Sequence, residues 1–290
     1  MGNNFYKNFT FLRAQKTDLP FTMGGISQTC EQLESKNNQD AMILDVDNKA
    51  ILAIIADGCS SPSCSDNHVS INEIGANLSC LIARNCIRNI LRKYDLKDTN
   101  AFLYALAKSF LGGLKNVYNG IFSYKEDFQY IYSNLLSSTL LCFIVTKEHY
   151  LLFTVGDGII AINGRIENLE EEEGIYPVQK IGETFARKDA LDTLFKVRSF
   201  GETCSLESLM IATDGFQDFL SLPGEPLATF FSNSNRMFTP GYDPAMFLEF
   251  RKRIFIPLQK REALRKIHDD RTAIFLRRIE SQNLKGEMYA

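Results

Sequence analysis

The sequence predicts an α+β fold in which two antiparallel sheets are covered by helices. Three observations carry that expectation. Strand pairs alternate with helix pairs, without the regular strand–helix–strand rhythm of a parallel sheet. Some strands, such as "ILAIIA", are wholly apolar and read as buried on both faces. The links between strands are tight turns such as "DNK", "KEHY" and "GDG". With 290 residues, 45% of them hydrophobic, the chain can bury one large core. No repeat, low-complexity block or Pro/Gly/Ser linker divides it, so residues 1–290 are expected to form a single domain with its core at about 23–278.

Taken in order, "AMILDVD" and "ILAIIA" are two strands joined at "DNK". Ile71, Ile74, Leu78, Leu81, Ile82, Cys86 and Ile90 follow at helical spacing and predict a helix over 71–93, with Cys86 as a core thiol. Leu103, Leu106, Phe110, Leu114, Val117 and Ile121 predict a second helix over 101–121, weakened by Gly112 and Gly113. "STLLCFIVT", "YLLFTVG" and "IIAING" read as a three-stranded meander. Residues 165–205 are more polar and irregular, and the acidic run Glu170 to Glu173 reads as a solvated loop face. "SLMIATDG" is a buried strand leading into a helix that starts at "FQDFL". An amphipathic helix over 246–267 and a final strand "TAIFLRR" complete the chain.

A net charge of −3 lacks the basic excess that nucleic acid demands. The longest apolar runs are too short to cross a bilayer. "MGNNFYKNFT" has no signal-peptide core, and Tyr6 stands where myristoylation wants Ser or Thr. Seven cysteines at irregular spacings, with no CxxC pair, form no disulfide framework. The expectation is a cytoplasmic protein with neither nucleic-acid nor membrane partners.

The chemistry lies at the strand ends. Asp57 follows "ILAIIA", Asp214 follows "SLMIAT", and Asp269 with Asp270 precedes "RTAIFLRR". Strands from distant parts of one sheet can bring such ends together. Carboxylates a few ångströms apart cannot all stay ionised comfortably without a cation. All-oxygen ligation points to Mg2+ or Mn2+ rather than zinc. The three histidines, none paired at metal-ligand spacing, support that choice.

"NNQDA", "IADG", "EIGANL", "SSTLL", "TVGDG", "IATDGFQDFL" and "DDRTAIFL" occur in the order of the successive signatures of the metal-dependent protein phosphatase 2C family. Each motif alone is weak; seven in order, from Asn37 to Leu276, resemble the family strongly, and "DGCSSPSCSDNH" resembles its bacterial branch. The resemblance implies a four-layer αββα sandwich, two antiparallel sheets flanked by helix pairs, with two Mg2+ or Mn2+ ions at one end. It places Asp57 as the carboxylate bridging both ions and the Gly58 carbonyl on one of them. Asp214 and Asp269 would hold the first ion, and Asp40 would lie close to the water shell of the second. The implied reaction is hydrolysis of phosphoserine or phosphothreonine in a phosphorylated protein substrate, by direct attack of a metal-activated water.

The chain also departs from the family pattern. Gln39 stands where many members carry a glutamate, and Ser35 where an arginine grips the substrate phosphate. Lys36, beside it, can offer only a point charge. "GDG" replaces the usual "GDS", so Asp157 reads as a turn or supporting residue. Cys59 occupies the place of a histidine seen in some relatives, with His68 further along. Ser138 and Thr139 match a packing motif that supports the site. These departures keep open an alternative: a weak or inactive phosphatase-fold module that binds phosphoprotein or regulatory partners.

Overall fold

The computed structural model describes residues 9–12, 17–29, 38–58, 72–121, 136–169, 176–179, 191–217 and 269–278. One sheet is built from β1 (Phe9–Leu12), β2 (Phe21–Gln28), β7 (Gly158–Ile162), β8 (Arg165–Leu169), β10 (Ser208–Ala212) and β11 (Arg271–Arg278). Its order is β1-β2-β11-β10-β7-β8. The other contains β3 (Ala41–Val46), β4 (Ala50–Ala56), β5 (Leu140–Thr146), β6 (His149–Val155) and β9 (Lys196–Glu202), in the order β3-β4-β5-β6-β9. Every neighbouring pair is antiparallel.

Side-chain alternation explains how the layers stack. On β4, Ile51, Ala53 and Ile55 point between the sheets, where they join Phe143 of β5 and Ile160, Ile211 and Ile274 of the first sheet. Leu52 and Ile54 point the other way and pack under α1 (Asn72–Ile90) and α2 (Thr99–Ile121). A strand covered on both faces has no use for polar residues. That is why "ILAIIA" is an unbroken apolar run. The result is an α+β sandwich of two antiparallel sheets, with a helix pair over the second.

The helices differ from expectation in which side of α1 is buried. Ala76, Ser79, Cys80, Ala83, Cys86 and Ile87 are buried, while Ile74 and Leu81 are exposed. Small side chains let α1 lie close on the sheet, and a count of large apolar residues does not register them. Cys86 is a core thiol as expected, and burial pushes its pKa up. Gly113 has a structural reason in α2. A Cβ there would come within 2.6 Å of Ile82 Cγ2, so the glycine lets the two helices cross closely.

Three strand expectations are corrected. β5 and β6 form a hairpin, but β7 leaves it and joins the other sheet beside β10, so there is no three-stranded meander. The chain changes sheets at Gly156 and Asp157, between the two strands. Residues 165–205 contain β8 and β9, both edge strands whose exposed residues hide the alternation. The Asn163-Gly164 turn between β7 and β8, with φ of 49° and 84°, is a strong hairpin signal that identifies β8. β1 and β2 were not expected, because "FTMGGISQ" carries two glycines and little apolar periodicity. The expected helix over 246–267, the acidic run and the segment after Gln217 lie outside the described residues.

Candidate active site

Four strand ends meet at one end of the sandwich, and each carries an aspartate. Asp40 immediately precedes β3 and Asp57 immediately follows β4; Asp214 lies two residues beyond β10 and Asp269 two residues before β11. The expectation of a single sheet is corrected here. Asp40 and Asp57 come from the second sheet, Asp214 and Asp269 from the first. They meet where the two sheets face each other, because β4 and β10 are interior strands of stacked sheets.

Backbone hydrogen bonds fix these ends. The Asp57 N–H donates to Thr139 Oγ1 at 3.0 Å, and the Asp57 carbonyl accepts from the Thr139 N–H at 2.9 Å. The Gly58 N–H donates to the Gln39 carbonyl at 3.2 Å, and the Gln39 N–H donates to Asp270 Oδ2 at 2.7 Å. Asp270 therefore ties the first sheet to the second, while its own N–H donates to Asp269 Oδ1 at 2.8 Å. Gly215 completes the clasp. A Cβ there would collide with the Asp270 carbonyl oxygen, so "TDG" needs its glycine for close backbone approach.

The electrostatics are those of crowded, like-charged groups. Burial pushes the Asp57 carboxyl well above the usual range, with further upward pressure from Asp40, Asp214 and Asp269 and from a hydrogen bond shared with Asp214. Burial also raises Asp40 strongly. Asp270 and Asp269 add to that rise, and hydroxyl hydrogen bonds from Thr272 and Thr213 oppose it. Asp269 is pushed up to about 6, by burial first and then by Asp214, with Asp270 and Asp157 adding smaller amounts. Asp157, at the crossing between the sheets, is thus a charged neighbour of the cluster.

The donor chemistry suits a hard divalent cation. Among the described residues the cluster offers carboxylate oxygens and the Gly58 backbone carbonyl, the donors such a cation prefers. Asp40 Oδ1 and Asp214 Oδ1 are buried without a hydrogen-bond partner, an arrangement a cation would relieve. Among the described residues, no three His, Cys, Asp or Glu side chains close around one point as metal ligands do. The fit therefore rests on the donor set and the two buried oxygens. Hollows of about 500 and 530 Å³ lie at the opposite end of the second sheet, lined by Lys49, Arg92 and Thr146 among others, away from the carboxylates.

The structure brings together Asp40, Asp57, Gly58, Asp214 and Asp269. Lys36, Ser35, Cys59 and His68 lie outside the described residues. Ser138 and Thr139 do support the site, through Thr139 on Asp57 and through a 2.9 Å bond between Ser138 and Ser79 of α1. Four residues escaped sequence reasoning: Ser27, Asn38, Thr213 and Thr272. Asn38, Thr213 and Thr272 were accessible, since each lies within three residues of a singled-out aspartate. Ser27 had no signal, because its strand was not recognised.

A sequence profile of the protein phosphatase 2C family matches residues 31–264, well over half of the chain. The chain belongs to the protein phosphatase 2C family. It is accordingly a protein phosphatase of the metal-dependent serine/threonine class. Solved structures agree on the fold. Stp1, a serine/threonine phosphatase from Staphylococcus aureus, is 13% identical with a TM-score of 0.51, covering 93% of this chain and 100% of that one. PppA, a key regulatory component of T6SS in Pseudomonas aeruginosa, is 17% identical with a TM-score of 0.51, covering 89% and 97%. A bacterial serine phosphatase is 13% identical with a TM-score of 0.51, covering 89% and 97%. No curated protein matches by sequence.

Within the family frame, the "GDG" departure has a steric cause. Gly158 has φ of 135°, and a Cβ there would lie 2.7 Å from the Ala212 carbonyl oxygen and 2.9 Å from Leu141 Cδ2. The serine of the usual motif does not fit at this position. Among the described residues no helix is long and apolar enough to cross a membrane.

Proposed function

We propose that the chain hydrolyses phosphoserine and phosphothreonine in a phosphorylated protein, using Asp57, Asp214 and Asp269 to hold two divalent cations, Mg2+ or Mn2+. One observation carries this reading: carboxylates from four strand ends on two sheets crowd together at one end of a protein phosphatase 2C chain. When bound, the cations supply charge compensation for the phosphoryl oxygens and a water acidic enough to be a nucleophile at neutral pH. Asp57 faces Asp40, Asp214 and Asp269, and its carboxylate would be shared by both cations. The Gly58 carbonyl and Asp214 Oδ1 add oxygens from the two sheets. Asp40, whose Oδ1 has no hydrogen-bond partner, would accept a hydrogen bond from a water beside the bound cations.

In the reaction, the water oxygen bonds to phosphorus as the bond to the serine or threonine oxygen breaks. The products are the free hydroxyl side chain and inorganic phosphate. No covalent enzyme intermediate is required. Gln39 holds its place through its backbone, to Asp270 and Gly58, and brings no charge. Gln39 would therefore hold a second cation less tightly than a glutamate. Lys36 is assigned to the substrate phosphate as a point charge. The reaction and the protein suit a cytoplasmic setting and one continuous domain.

The test is hydrolysis of an aryl phosphate and of a phosphothreonine peptide, with Mn2+ and with excess chelator, by the wild type and Asp57→Ala. The proposal expects turnover only in the wild type with Mn2+. Turnover in chelator contradicts the metal mechanism. Turnover absent even with Mn2+ bound leaves a phosphoprotein-binding module instead.

A further inference from the structure

We propose that Asn38, Ser27, Thr272 and Thr213 form a positioning ring that fixes the orientation of Asp40, an inference that rests on the role given to Asp40 above. The ring can be followed proton by proton. The Asp40 N–H can only donate, so it meets Asn38 Oδ1, at 2.9 Å. That places Asn38 Nδ2 toward Ser27, and it donates to Ser27 Oγ at 2.7 Å. Ser27 and Thr272 hydroxyls lie 2.7 Å apart, and distance alone allows either to donate.

The circuit closes through Thr213. The Thr272 N–H can only donate, and it meets the Thr213 hydroxyl oxygen at 2.9 Å. That hydroxyl in turn bonds Asp40 Oδ2 at 2.9 Å. The ring therefore runs from Asn38 to Ser27, from Ser27 to Thr272, from Thr272 to Thr213, from Thr213 to Asp40, and from the Asp40 N–H back to Asn38. Hydrogen bonds aligned head to tail polarise and strengthen one another.

Thr213 is the grip on the carboxylate itself. Its hydroxyl donates to Asp40 Oδ2 at 2.9 Å while accepting the Thr272 N–H at 2.9 Å. Turning the carboxylate about its own axis breaks at least one of these bonds. Asp40 Oδ1 is left as the buried oxygen without a hydrogen-bond partner. The members come from both sheets, Ser27 from β2, Thr272 from β11, Thr213 from the end of β10, and Asn38 and Asp40 from the approach to β3. Thr213, Thr272, Ser27 and Asp40 are buried, so water cannot replace a lost member without rearrangement.

None of the four need touch the substrate; they act through Asp40. The test is the melting temperature of the full chain across a Mn2+ series, with kcat and KM on an aryl phosphate alongside. Thr272→Val removes the hydroxyl at constant shape, Thr272→Ser restores it, and Ser27→Ala breaks the ring one residue away from Asp40. Loss of an outer partner of this kind weakens metal affinity or activity by about 10-fold. Thr272→Val and Ser27→Ala are thus expected to raise the Mn2+ concentration for half-maximal stabilisation by about 10-fold. They should lower kcat while KM stays near the wild-type value, and Thr272→Ser should titrate as the wild type does. Should Thr272→Val fail to fold, Ser27→Ala decides. Folded variants that titrate like the wild type overturn the ring while leaving the metal site intact. A wild type that Mn2+ does not stabilise removes both.

Discussion

The two ends of the β3–β4 hairpin carry aspartates in opposite circumstances. At one end Asp40 and Asp57 face other carboxylates, and both are pushed toward protonation. At the other, Asp45 accepts from Arg84 Nε at 2.8 Å and Arg88 Nε at 2.9 Å, and Asp47 accepts from Arg88 Nη1 at 2.6 Å. Asp47 also caps its turn by accepting the N–H groups of Lys49 and Ala50, both at 2.8 Å. Despite partial burial, these partners hold Asp45 and Asp47 below the usual carboxylate range. Both pairs of aspartates belong to the same hairpin, some 20 Å apart at about 3.3 Å per residue. The arginines complete the far end. Buried carboxylates crowded against one another are a cost to folding, and a bound cation is the chemistry that makes such a cost useful.

The largest expected effect separates the ends by function. Asp57→Asn should lower Mn2+-dependent phosphatase activity by at least about 100-fold, the scale of a lost group at a preorganised charge site. The same change should leave the chelator-treated protein equally or more stable in thermal melts. Asp45→Asn should do the reverse, retaining turnover while reducing stability by about 1–3 kcal/mol, since it weakens charged hydrogen bonds to two arginines. Loss of activity in Asp45→Asn at a temperature where it is folded would break the comparison.

Next in size is a steric test of how rigid the carboxylate end is. Gly158→Ser forces a side chain at positive φ against the Ala212 carbonyl and should cost about 1–3 kcal/mol. Chemical denaturation measures it. A neutral outcome would mean that the crossing between the sheets yields easily.

The smallest effect concerns pH. Asp269, raised to about 6, contributes stability that is fully present below an unfolded pKa of about 4 and is lost as pH rises through about 6. Asp45, lowered, contributes stability that is present above about 4 and lost as pH falls through its folded value. In chelator, Asp269→Asn should therefore flatten the fall in melting temperature between about pH 4 and 6, and Asp45→Asn the fall below about 4. The same pH profile in both variants would mean that the ends are electrostatically alike.

The legibility of the sequence followed burial. β4, β5, β10 and β11 were readable because both faces are covered and the strands are apolar throughout. Edge strands β8 and β9 are mostly exposed or half-buried, and two of the eight positions of β2 are glycine. The aspartates were conspicuous because a charge interrupts an apolar run. The residues that orient them were not. Thr213 and Thr272 look like ordinary strand residues, and their role depends on pairing between β10 and β11 that local pattern does not contain. The sheet crossing at Asp157 was misread for a related reason, since a tight turn does not say which sheet the next strand enters.

The most direct measurement is calorimetric titration of Mn2+ into the full chain, wild type beside Asp57→Asn, at neutral pH. The account predicts saturable binding by the wild type, accompanied by proton release as raised carboxylates ionise, and loss of most of that binding in Asp57→Asn. Equal binding by both proteins, or none by the wild type, would contradict it.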